Sequence, residues 1–124
     1  MQNLNLSALP KTWIFDFDGT LVEHNAYKTG NDSLLPGVKD FLDKIPKEDF
    51  VLILTGREKA AETKTLNFIK ENELRCDKIL FEMPLGERIL FNDMKPSGLS
   101  MSHAVNLARN AGLRNVNVII DKTL

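Results

Sequence analysis

Five short runs of Ile, Leu, Val and Phe, at residues 13–17, 50–54, 78–81, 88–91 and 116–120, constrain the fold more than anything else in the chain. Each has the length and composition of a strand and is nearly unbroken by polar residues. Unbroken runs suit strands covered on both faces, as in a parallel sheet between helices. Helical patterns lie between the runs. Val38, Phe41, Leu42 and Ile45 recur at helical spacing, with Pro36 suited to the first turn and Pro46 to the stop. Residues 58–72 are rich in Glu, Lys and Ala around Ala61, Leu66, Phe68 and Ile69. Met101, Ala104, Val105, Ala108 and Ala111 form a third stripe, with Ser100 or Ser102 as cap and Gly112 at its end. Strands alternating with helices imply an α/β fold, a mainly parallel sheet between two helical layers. One connection resists this scheme. Residues 82–87 are too few for a parallel crossover, which takes about a dozen residues. The third and fourth strands are therefore expected to pair antiparallel or to separate.

At 124 residues the chain is expected to form one domain, residues 1–124, with a core that needs no disulfide or metal staple. Sixteen basic against seventeen acidic residues give a net charge of −1, which provides no global attraction to nucleic acid. No apolar run approaches the ~20 residues of a membrane helix. A single cysteine, Cys76, excludes an internal disulfide and suits a reducing, cytoplasmic setting. Residues 1–11 lack the basic start and apolar stretch of a secretory leader.

Chemistry concentrates where the first run ends, in Asp16-Phe17-Asp18-Gly19-Thr20-Leu21. Ligands of α/β sheets bind beyond the carboxyl ends of the strands. A spacing of two sends the Asp16 and Asp18 side chains to the same side of an extended chain, and Gly19 permits a sharp turn just after them. An Asp-Gly after a strand is by itself an ordinary turn. Two carboxylates so close repel each other, and such a pair persists where a cation or a function compensates.

This segment, preceded by Trp13-Ile14-Phe15, resembles the first motif of the haloacid dehalogenase superfamily, an apolar strand followed by Asp-x-Asp-Gly-Thr-Leu. Val51-Leu52-Ile53-Leu54-Thr55-Gly56-Arg57 is similar to the second motif, an apolar strand ending in Thr or Ser. Ile89-Leu90-Phe91-Asn92-Asp93 is similar to the fourth, with Asn92 in place of a first acid. The resemblance covers nearly the whole chain. It implies a three-layer α/β/α sandwich of Rossmann-like type and a phosphatase acting through an aspartyl-phosphate.

Under that resemblance Asp16 is the nucleophile, ionised at neutral pH and in need of no activating base. A Mg²⁺ ion on Asp16, the Asp18 main-chain carbonyl and Asp93 would offset the repulsion between carboxylate and phosphate. Asp18 would serve as general acid and base. Thr55 would hold a phosphate oxygen, Gly56 would present its N–H from a helix start, and Arg57 and Asn92 would touch substrate. The third motif's lysine is missing from Phe81-Glu82-Met83-Pro84-Leu85-Gly86. Lys95 is the first candidate to replace it, with Arg57, Lys78 and Arg88 behind it.

Residues 21–35 and 55–78 are too short to hold a cap domain, so the resemblance is to a capless member. The implied substrate is a small phosphorylated metabolite such as a sugar phosphate, and homo-oligomers would complete the open pocket. Two other classes stay open. A receiver-like signalling domain also accepts phosphate on aspartate, but would carry that residue at the end of its third strand. A phospholigand-binding protein with little turnover would suit the missing lysine.

Overall fold

The computed structural model describes residues 1–124. Two parallel sheets carry the fold. One has three strands, β2 (Thr12–Asp16), β3 (Phe50–Leu54) and β4 (Lys78–Leu80), with β3 in the middle. The other pairs β1 (Gln2–Leu6) with β5 (Val116–Ile120). Between the strands run α1 (Val38–Asp43), α2 (Glu62–Glu71) and single 3₁₀ turns at Ala26–Thr29 and Lys59–Ala61. The α/β class and the parallel sheet match the expectation. No helix is long and apolar enough to cross a membrane.

Side-chain alternation explains where the core lies. Register places Trp13 and Phe15 of β2 beside Val51 and Ile53 of β3, and Ile53 beside Ile79 of β4. Successive strand residues point to opposite faces, so these five share one face. Against it pack Val38, Leu42 and Ile45, at and just beyond α1, together with Ile69 of α2. Phe41 stands edge-on to Trp13 and Phe15, with ring centroids 5.9 and 6.1 Å away. The fully buried side chains among them, Val38, Leu42, Val51 and Ile53, each contribute about 1.5–3 kcal/mol. Asp49, itself buried, fastens the start of β2 by accepting the Trp13 indole N–H at 2.9 Å and the Lys11 N–H at 3.1 Å.

The opposite face departs from the expected sandwich. Ile14 is 49% exposed, and Leu80 is also exposed. The helix that should cover this face, over residues 101–111, does not form; residues 101–108 take no regular structure. Its stripe is mostly alanine, which provides little apolar area to drive docking, and an isolated helix of that length is marginal in water.

The expected strand at residues 88–91 is likewise absent. No backbone–backbone hydrogen bond involves residues 84–94, and Ile89 and Phe91 are 77% and 90% exposed. The six-residue connection after β4 cannot make a parallel crossover, and no hairpin forms in its place. Conversely, β1 lies outside the five apolar runs. Its Leu4 and Leu6 alternate with Asn3 and Asn5, the pattern of a strand with one covered face.

Candidate functional site

The three parallel strands end at one edge, with Asp16 beside Leu54 and Leu54 beside Leu80. The segments leaving β3 and β4 stay paired beyond the sheet. Thr55 N donates to Leu80 O, Met83 N to Thr55 O and Glu82 N to Arg57 O, each at 3.0 Å. Leaving β2, the chain turns at once. The Phe17 carbonyl accepts N–H groups of Thr20, Leu21 and Val22, and Gly19 takes the left-handed conformation (φ +86°) that glycine adopts without strain. This turn packs under Arg109, and Gly19 O accepts the Asn110 N–H at 2.9 Å.

Asp16 is half exposed at the end of β2. One carboxylate oxygen accepts the Thr20 hydroxyl at 3.1 Å, and the other lies 3.5 Å from the Arg88 guanidinium. That long, solvated ion pair contributes at most about 1 kcal/mol, so Arg88 is free to turn toward an incoming anion. Arg88, one of the reserve candidates for the missing positive charge, is thus the cation that reaches Asp16. Lys95 does not: it is exposed and serves a local turn in which its main chain bonds Leu99 and Gly98.

Arg57 is only 2% exposed, and every donor it has is engaged. Nε and one terminal nitrogen grip the two oxygens of Asp18 at 3.0 and 2.8 Å. The two terminal nitrogens grip the two oxygens of Asp32 at 3.0 and 2.8 Å. The fifth N–H donates to the Thr65 hydroxyl at 2.9 Å. The guanidinium also lies 4.7 Å from the Phe17 ring centroid and 3.9 Å from that of Tyr27. Burial alone would push Arg57 down, but the hydrogen bonds and charges of Asp18 and Asp32 outweigh it and hold Arg57 above its ordinary value. The expectation that Arg57 touches substrate is therefore corrected. A guanidinium has five N–H donors, and none remains for a phosphate.

The other expected residues divide. Thr55 sits beside the first motif but is buried, and its oxygen accepts the Arg57 N–H at 3.1 Å in a local turn. Gly56 is exposed but does not open a helix. The chain stays irregular through Glu58, and α2 begins only at Glu62, so the expected helix-start anion site is absent. Asn92 shares with Asp16 and Thr20 the wall of a cavity of about 640 Å³. Asp93 is exposed on the unpaired 84–94 stretch and does not line that cavity.

The donor set expected for Mg²⁺ does not assemble. No three His, Cys, Asp or Glu side chains lie close enough to hold a metal ion. Asp93 stands on the exposed, unpaired 84–94 stretch, away from the cavity wall that Asp16 lines. Asp32, Tyr27 and Thr65 escape a reading of motifs. Asn31-Asp32-Ser33 looks like an ordinary polar turn, and only the fold brings it to Arg57.

No protein-family model, curated protein or solved structure matches the chain significantly. The resemblance to the haloacid dehalogenase superfamily rests on the chain's own motifs.

Proposed function

We propose that the chain is a phosphatase of the haloacid dehalogenase type, hydrolysing a small phosphate monoester through a phosphoryl group carried on Asp16. One observation supports this most. The Asp16 carboxylate stands half exposed at the carboxyl end of a parallel strand, steadied by Thr20, with Arg88 beside it and Asp18 two residues on. An ionised carboxylate attacks phosphorus without a base. The Arg88 guanidinium offsets the negative charge that meets it. Asp18 handles the proton of the hydrolytic water.

A second reading, a phospholigand-binding protein with little turnover, draws on the separation of Asp93 from Asp16 and on the burial of Thr55. Hydrolysis of 4-nitrophenyl phosphate by the wild type and by Asp16→Asn decides between them. The phosphatase reading expects turnover that falls by roughly 10³-fold or more in a folded Asp16→Asn protein. Activity that survives the substitution removes Asp16 as nucleophile. Binding of the ester without turnover by the wild type supports the second reading.

A further inference from the structure

We infer that Asp32 is a positioning residue for the proposed reaction: acting through Arg57, it holds the Asp18 carboxylate in place for proton transfer. The inference rests on the phosphatase reading above and adds to it a residue that none of the motifs contains.

Asp18 stands on the turn just past β2, and the only hydrogen bonds to its carboxylate come from Nε and one terminal nitrogen of Arg57. Arg57 therefore sets where that carboxylate points. Each oxygen keeps a further lone pair, so the clamp orients Asp18 without blocking a proton in either direction. The Asp18 side chain is 17% exposed and that of Arg57 1%, so a substrate can reach Asp18 but not the guanidinium behind it.

Arg57 is held in turn by Asp32. A guanidinium is planar, with its five N–H bonds in fixed directions. Asp18 takes one edge, Asp32 takes the adjacent edge at 3.0 and 2.8 Å, and one terminal nitrogen serves both acids. One rigid group thus fixes the two carboxylates relative to each other, and a shift at Asp32 passes to Asp18. Asp32 has a fixed seat of its own. Its segment is closed by main-chain bonds from Glu23 N to Ser33 O and from Leu35 N to Leu21 O, both at 3.0 Å. Asp32→Asn keeps the shape of this contact but offers one acceptor oxygen to two donors and turns an N–H₂ group against the guanidinium. Donors buried without acceptors are costly, so the guanidinium must turn, and the Asp18 carboxylate turns with it.

The chemistry supplies the signature. In the first step an Asp16 oxygen attacks phosphorus, the bond from phosphorus to the leaving oxygen breaks, and Asp18 gives that oxygen a proton. In the second, water attacks phosphorus, Asp18 takes a proton back, the bond from phosphorus to Asp16 breaks, and inorganic phosphate leaves. A phenolate leaves poorly without the proton, whereas a 4-nitrophenolate leaves readily. A misplaced Asp18 therefore slows phenyl phosphate more than 4-nitrophenyl phosphate.

The test compares kcat/KM, which covers the steps through loss of the phenol, for these two esters in the wild-type chain and in Asp32→Asn. Misplacing a reacting group by about 1 Å costs about 10²-fold. Phenyl phosphate should lose about that much, and the phenyl-to-nitrophenyl ratio should fall at least about tenfold. A fold loosened around Asp16 would slow both esters alike and leave the ratio unmoved. An unchanged ratio in folded Asp32→Asn protein overturns the role of Asp32 and leaves the phosphatase reading intact. No turnover of either ester by the wild type sinks both. If Asp32→Asn fails to fold, Arg57→Lys decides. It keeps the buried charge between the two acids but not the planar fork, so the ratio should fall there too, and an unchanged ratio overturns the inference.

Discussion

Arg57 and the stretch that begins at residue 84 leave the same edge of the sheet and meet opposite fates. Around Arg57, five N–H donors find five acceptors, two carboxylates neutralise one buried cation, and the Phe17 and Tyr27 rings lie against the guanidinium. From 84 to 94 no main-chain group pairs with another, and Ile89 and Phe91 face water. A buried charge survives only where its partners are complete, whereas an exposed chain has water for every polar group. The first region therefore has one arrangement, and the second has nothing to select one. The function proposed here draws its fixed parts, Asp16, Asp18 and Arg57, from the first. It takes its adjustable part, Arg88, from the second.

The largest effect should come from emptying the clamp. Arg57→Ala leaves Asp18 and Asp32 facing each other without a counterion, a kind of change that costs about 3–5 kcal/mol. Urea unfolding measures it, and a loss below about 1 kcal/mol would mean that the network does not hold the fold.

Cys76 sharpens the comparison from the ordered side. It packs against the core, and burial, with the Asp77 charge, pushes its thiol up to about 11. The reactive form is the thiolate, so raising the value slows reaction at any pH below it. Alkylation by iodoacetamide at pH 8 should run about 100-fold slower than for an unperturbed thiol, accelerating as pH climbs toward 11. Reaction at the ordinary rate would place Cys76 in the loose region instead.

The smallest effects belong to residues 84–94. Phe91→Ser should change stability by less than about 0.5 kcal/mol, as surface substitutions do. The amides there should exchange within about tenfold of unfolded-chain rates. Protection comparable to that of β3 would erase the contrast between the two regions.

The same contrast explains what the sequence revealed. Residues 50–54 and 116–120 are strands with the bounds expected from their apolar runs, and β2 is displaced by one residue. In these strands pattern and packing agree. The runs at 88–91 and 101–111 carry the same local signals, but short connections and small side chains deny them a surface to pair with. Pattern reading sees the signal and not the missing partner.

At the site, the motif spacing placed Asp16, Asp18 and Thr55 at one edge because neighbouring parallel strands end together. It could not place Asp32 on Arg57, since that contact spans 25 residues and depends on where the intervening turn settles. Nor could it separate Arg88 from Lys95, because a lone basic residue in a loop carries no positional signal.

The most direct measurement is chemical capture of the intermediate. Quenching wild-type protein during turnover of 4-nitrophenyl phosphate, reducing with borohydride and sequencing the peptides by mass spectrometry reads which carboxylate held phosphorus. Reduction is expected at Asp16 and nowhere else, lost when substrate is omitted. Turnover with Asp16 unmodified, or with another acid reduced in its place, would contradict it.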